Sequence, residues 1–277
     1  MSRLANIRNL IIDMDGVLYR ENAPLPGLVE FFDFMRQREI NFALATNNST
    51  RTPAQYVLKM AALGVQISPA DLITSALATA AYLQEIAPPG TPVYAIGQDG
   101  LMTALQEAGF VLDDRRAEFV VVGMDTRLTF DKLKRATLLI RGGATFIGTN
   151  PDLTFPTPEG QAPGTGSILA AIEAAGGIAP QIVGKPEPMM FRLAMERLKA
   201  SPANTAALGD RLETDILAAK RAGLLSLLVL SGVTGRATLA ESETRPDLVF
   251  ANLADLVEKW NSGDAALRSQ KGQSCTM

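Results

Sequence analysis

The chain has 277 residues, 47% of them hydrophobic, with a formal net charge of -3 and a pI near 5.2. That is enough apolar material for a large core, at a length where chains begin to split into two domains. The mild negative balance, without any basic run interleaved with aromatics, argues against nucleic-acid binding.

Histidine is absent altogether. Ser-His and Cys-His nucleophilic pairs and imidazole zinc sites are therefore excluded, and acid-base work must fall to carboxylates, lysine or tyrosine. The single cysteine, Cys275, lies in a polar tail and has no internal partner, which suits a reducing, cytoplasmic setting. The first apolar run is too short for a signal peptide and stops at Asp13, and Leu224 to Leu230 is too short to cross a bilayer, so no membrane association is expected.

In chain order, Leu10-Ile11-Ile12 reads as a buried strand that runs straight into Asp13-Met14-Asp15-Gly16. Two carboxylates at the carboxyl end of a parallel strand repel each other unless a cation or a shared proton relieves them. A simple turn is the plain alternative. A calcium loop is not, because Val17, Leu18 and Tyr19 stand where oxygen ligands would be needed. Gly27 to Arg36 reads as a helix with Leu28, Phe31, Phe32 and Met35 on one face. A second strand, Phe42 to Ala45, ends in Thr46-Asn47-Asn48-Ser49, where a hydroxyl and exposed N–H groups can cradle an anion. Thr52-Pro53 then starts a helix over Ala54 to Leu63, and Leu77 to Ile86 reads as another.

Strands at 93–96, 119–123 and 144–147 alternate with helices at 100–108 and 130–140, enough for a small sheet of their own. A Pro-, Thr- and Gly-rich loop over 150–165 and a helix over 166–175 follow. Strand 181–183 leads into Gly184-Lys185-Pro186, and proline biases Lys185 toward extended backbone. A helix over 189–198 precedes strand 205–208, which ends in Gly209-Asp210, with Asp215 at the start of helix 214–222. Strands at 225–230 and 248–250 complete the pattern, and the residues after Ser262 read as a tail.

The expected fold is α/β, a doubly wound, Rossmann-like parallel sheet core interrupted by an inserted α/β cap. The boundaries are 1–79 and 181–262 for the core, 80–180 for the cap and 263–277 for the tail. Asp13, Asp15, Thr46, Lys185 and Asp210 then fall at the ends of four strands, offering a nucleophile, an acid-base group, an anion site, a cation and a metal ligand.

This set resembles the haloacid dehalogenase superfamily of phosphohydrolases. Asp13-Met14-Asp15-Gly16-Val17 is similar to its first motif, Thr46-Asn47-Asn48 to its second, Lys185 to its third, and Gly209-Asp210 with Asp215 to its fourth. The segments Gly148 to Asp152 and Gly164 to Ser167 resemble the branch (subfamily IIA) that holds 4-nitrophenylphosphatases and phosphoglycolate, pyridoxal phosphate and ribonucleotide phosphatases. Some pyridoxal phosphatases place a histidine where this chain has Phe155, which counts against pyridoxal phosphate as the preferred substrate.

The resemblance implies a magnesium-dependent phosphatase acting on a small phosphorylated metabolite through an aspartyl-phosphate. Asp13 is then the nucleophile and Asp15 the acid and base, with phosphate on Thr46, Asn47 and Lys185. Mg2+ is held by Asp13, Asp15 and Asp210, with Asn48 and Asp215 supporting and Asp152 or Asn47 lending further help. A homodimer paired through the cap is implied too. An acid at Asp15 suits an oxygen leaving group, whereas a halide needs no proton. The rival readings are a receiver domain, which lacks the Asp-x-Asp pair and the insertion, and a retired relative serving only to bind or regulate, which should have lost a motif residue.

Overall fold

The computed structural model describes residues 3–157 and 159–273; Cys275 and the last residues of the tail lie outside them. The first strand, β1 (Asn9–Ile12), is followed by the short strands β2 (Tyr19–Arg20) and β3 (Ala23–Pro24), then α1 (Leu28–Gln37), β4 (Asn41–Thr46) and α2 (Pro53–Ala62). Next come β5 (Leu72–Thr74), α3 (Ser75–Ile86), β6 (Pro92–Ile96), α4 (Asp99–Glu107), β7 (Val111–Leu112), β8 (Phe119–Val122) and α5 (Phe130–Arg141). They are followed by β9 (Thr145–Gly148), β10 (Thr154–Thr157), β11 (Gly160–Pro163), α6 (Thr165–Gly176), β12 (Gln181–Ile182) and α7 (Met189–Leu198). The last elements are β13 (Thr205–Gly209), α8 (Leu217–Arg221), β14 (Leu225–Val229), α9 (Arg236–Glu241), β15 (Leu248–Phe250) and α10 (Leu253–Gln273).

The described residues divide into two compact units. The first takes the chain up to Leu44, Lys59–Ile67 and everything from Ala194 on; the second takes Ala45–Leu58 and Ser68–Leu193. The boundaries expected at 79/80 and 180/181 both fall inside the second unit, because the residues after β4 are hydrogen-bonded into the inserted segment.

In the first unit the strands run in the order β15-β14-β13-β1-β4, every pair parallel. β1 is central, with Ile12 opposite Leu208 on one side and Leu44 on the other. Its apolar residues Leu10, Ile11 and Ile12 are fully buried, as an unbroken apolar run in a parallel sheet requires. Helix α1 buries Leu28, Phe31, Phe32, Phe34 and Met35. Phe32 meets Phe42 edge-on at 5.1 Å, and Phe34 meets Trp260 of α10 at 5.6 Å. Leu253, Leu256 and Trp260, at helical spacing, anchor α10. That helix continues through the stretch expected to fray.

The second unit has its own parallel sheet in the order β12-β9-β8-β6-β7. Ile96, Val120, Val122 and Phe146 from its strands pack with Ala136 and Ile140 of α5 and with Ile168, Leu169 and Ile172 of α6. The region 150–165, expected to be all loop, contains an antiparallel hairpin of β10 and β11. Pro156 and Pro163 lie in its strands, and proline argues against strand in any reading from pattern alone.

Candidate active site

Asp13 is the first residue beyond β1, and its N–H donates to the Leu208 carbonyl at 2.8 Å, extending the parallel ladder by one bond. The chain then turns sharply. The Met14 carbonyl accepts from the N–H groups of Val17 and Leu18, and Gly16 N–H donates to the Tyr19 carbonyl. Gly16 has φ +84°, a left-handed conformation that favours glycine. A β-carbon there would also run into the Asp210 carboxylate. This turn leaves Asp13 half-buried and Asp15 exposed.

Asp210 follows β13 and is 1% exposed. Its Oδ2 accepts from Val233 N–H at 2.6 Å, and its backbone carbonyl accepts from Thr234 N–H at 3.2 Å. Gly232 lies so close to the same carboxylate that any side chain there would overlap it. Asp215 sits in a π-helical turn, Leu212–Ile216, and its Oδ2 accepts from the N–H groups of Asp210 and Arg211 at 3.2 and 3.0 Å. Asp215 is thus a specific brace on the neighbouring strand end.

Asp13, Asp210 and Asp215 each present one oxygen, and these lie within 4.8 Å of one another. Like charges at that spacing repel by about 3–4 kcal/mol per pair at an intermediate dielectric. A divalent cation relieves this, and an all-oxygen donor set suits a hard ion such as magnesium or calcium. The backbone thus holds three carboxylates together in a way that fits a metal. Asp15 lies at the exposed edge of the same turn.

The second unit carries Thr46, Asn47, Asn48 and Lys185. Thr46 ends β4 and accepts from Asn48 N–H at 3.2 Å, while Asn48 Oδ1 accepts from the Thr50 N–H and hydroxyl. The Asn47 carbonyl accepts from Ser75 Oγ at 2.6 Å and Asn150 Nδ2 at 2.8 Å. Asn47 Nδ2 donates to the Lys185 carbonyl at 2.9 Å and to Asp152 Oδ2 at 3.2 Å. Lys185, only 2% exposed, donates from Nζ to the Ala45 carbonyl at 3.0 Å. The Lys185–Pro186 bond is cis. One polar network therefore joins Thr46-Asn47, Lys185 and the Thr149 to Asp152 loop. A buried ammonium beside this turn is suited to holding an anion.

Sequence reasoning did not single out Ser75, Gly232 or Val233, and placed Asn150 only within the Gly148 to Asp152 segment. Ser75 and Asn150 bond the Asn47 backbone, and Gly232 and Val233 seat Asp210. Their partners are distant in the chain, so spacing gives no sign of them.

The haloacid dehalogenase-like hydrolase family matches residues 10–111, and a HAD-hydrolase-like family matches residues 182–256. The dihydroxyacetone phosphatase of Corynebacterium glutamicum is 40% identical over 268 residues, 96% of this chain and 97% of that protein. The crystal structure of 4-nitrophenylphosphatase from Thermotoga maritima superposes with a TM-score of 0.89 at 36% identity, covering 93% of this chain and 99% of that one. A glycerol phosphate phosphatase from Mycobacterium tuberculosis, solved with magnesium and also with calcium, gives 0.86 at 32% identity over 92% of this chain and 78% or 76% of that one. The chain belongs to the haloacid dehalogenase-like hydrolases and is a phosphoric monoester hydrolase among them.

Proposed function

We propose that the protein hydrolyses small sugar- or polyol-type phosphate monoesters with Mg2+, using Asp13 as nucleophile and residues 80–180 as a cap that selects the substrate. The observation that carries this reading is the meeting of the Asp13, Asp210 and Asp215 oxygens within 4.8 Å, with exposed Asp15 two residues beyond the nucleophile.

The ion would be held by Asp13, the Asp15 carbonyl and Asp210, with Asp215 bracing Asp210. When bound, it supplies positive charge against the phosphoryl oxygens. Lys185, the Thr46 hydroxyl and the Asn47 N–H would hold the phosphoryl group, and Asn48 fixes the turn. An Asp13 oxygen attacks phosphorus as the ester P–O bond breaks, and protonated Asp15 gives its proton to the departing alkoxide. Ionised Asp15 then takes a proton from water, which attacks the phosphorus of phospho-Asp13. The bond to Asp13 breaks, and free phosphate leaves. Water and ester become alcohol and phosphate, with both aspartates restored.

The polyol class is supported by the dihydroxyacetone and glycerol phosphate phosphatases among the relatives. A homodimer formed through the cap belongs to the same proposal, on family resemblance alone, and sedimentation velocity tests it. The composition supports a cytoplasmic protein, and among the described residues no helix is long and apolar enough to cross a membrane. A retired binding protein is not favoured, because every motif residue is present. Phosphate release from 4-nitrophenyl phosphate and glycerol phosphate, with and without Mg2+, tests the proposal; no release from either ester would refute it.

A further inference from the structure

Within the second unit, a cavity of about 500 Å³ is lined by Thr50, Arg51, Gln55, Gln98, Asp99 and Arg127. Its walls come from three places in the chain, and each is tied to another by hydrogen bonds. Gly100 N–H donates to the Thr50 carbonyl at 3.0 Å, and Gln98 Nε2 donates to Thr126 Oγ1 at 3.2 Å. Met124 N–H donates to the buried Ser49 Oγ at 3.2 Å. A β-carbon on Gly100 would strike the Ser49 and Arg51 carbonyls, so glycine lets the start of α4 close against that segment.

The loop bearing Arg127 is equally fixed. Asp125 is buried, accepts from Arg127 N–H at 2.8 Å and pairs with Lys132 Nζ at 2.6 Å, while Lys132 also donates to the Arg127 carbonyl. The rigid backbone thus presents the Arg127 side chain without using it. Among the described residues, neither the Arg51 nor the Arg127 guanidinium has an ion-pair or hydrogen-bond partner. Asp99 is the one carboxylate lining the cavity, so the wall keeps a net positive charge. Arg51 also follows the Thr46 to Thr50 turn directly.

We propose that this cavity is a subsite for a second acidic group, a carboxylate or phosphate, gripped by Arg51 and Arg127. The inference rests on the proposed phosphatase reading where that group is the substrate's own. It would then bias the enzyme toward phosphate esters carrying a further acid. Guanidinium forks match carboxylate and phosphate oxygens, which suits both arginines to the task.

The test compares glycerol phosphate with phosphoglycerate, which differ by a hydroxymethyl against a carboxylate, in wild type, Arg51→Gln and Arg127→Gln. Circular dichroism checks that each variant folds. The phosphoglycerate to glycerol phosphate ratio of kcat/KM should fall about tenfold in each variant, the effect of losing one charge-assisted contact. Calorimetric titration with tricarballylate, a phosphate-free polycarboxylate, covers a free anion as the occupant; its binding should be lost in the same variants. A change in either readout supports the subsite and tells its occupant. An unchanged ratio together with unchanged or absent tricarballylate binding overturns it. If wild type hydrolyses neither ester, the phosphatase reading fails, and the titration alone decides the subsite.

Discussion

The carboxylate of Asp215 is bonded to the backbone N–H of Asp210 at 3.2 Å, so one acid fixes the peptide from which the other projects. The same oxygen also takes the Arg211 N–H, which pins the whole turn after β13. Both aspartates belong to the carboxylate set with Asp13. On the proposed metal site, removing either should weaken metal binding, but by different routes: Asp210→Asn changes a proposed ligand, whereas Asp215→Asn loosens its seat.

Magnesium should stabilise the folded protein if it binds that set. An ion at a hundred times its dissociation constant adds about 2.7 kcal/mol. Thermal melts with and without MgCl2 should show a rise in Tm for wild type, a reduced rise for Asp215→Asn and none for Asp210→Asn. Equal rises in all three would place the ion elsewhere.

Gly232→Ala should impair the site without removing any functional group. Its methyl group would overlap the Asp210 carboxylate and push it away from Val233 N–H. Loss of that charge-assisted bond and the clash together should cost about 1–3 kcal/mol in stability and raise the magnesium requirement. Chemical denaturation and a metal titration of activity check both effects. A variant as stable and as active as wild type would show that the carboxylate can move freely.

Lys185→Met keeps the volume of a buried chain but deletes its ammonium and the bond to the Ala45 carbonyl. If Lys185 holds the phosphoryl group as proposed, turnover should fall by about two orders of magnitude, with KM rising as well. Steady-state kinetics on glycerol phosphate measures this. Arginine should rescue poorly, because its planar fork does not replace a point charge in a fitted cavity.

Acid stability depends in part on Asp247. Burial pushes its carboxyl up, but the Ser226 N–H and hydroxyl and the Arg3 guanidinium outweigh that and hold it below the usual carboxylate range. A depressed folded value means the stabilisation is complete above the unfolded value, near pH 4, and is lost as pH falls through the folded one. Asp247→Asn should therefore unfold with a shallower acid limb below about pH 4 and be less stable than wild type at neutral pH. An unaltered pH–stability curve in the variant would remove Asp247 from the account.

The alternation of strands and helices was legible because parallel strands leave unbroken apolar runs, as at Leu10 to Ile12 and Phe119 to Val122, and helices leave faces such as Phe31, Phe32 and Met35. The positions of Asp13 and Asp210 at strand ends were legible because Leu10 to Ile12 and Ala206 to Gly209 lead straight into them. The hairpin at 154–163 was not, since its prolines mask any strand pattern. The last helix was hidden because its apolar anchors Leu253, Leu256 and Trp260 are followed by a polar stretch that gives no helical face. The braces of the site escaped for another reason: Val233 N–H to Asp210 and Ser75 to Asn47 are bonds between distant residues, and a single sequence records neither.

The most direct test of the account is to incubate Asp15→Asn with Mg2+ and 4-nitrophenyl phosphate, quench in acid, and locate any phosphoryl group by peptide mass spectrometry. With no acid or base to finish the cycle, phosphate should be found on Asp13, and on no residue in an Asp13→Asn variant. A phosphoryl group on another side chain, or steady turnover by the Asp13→Asn variant, would contradict it.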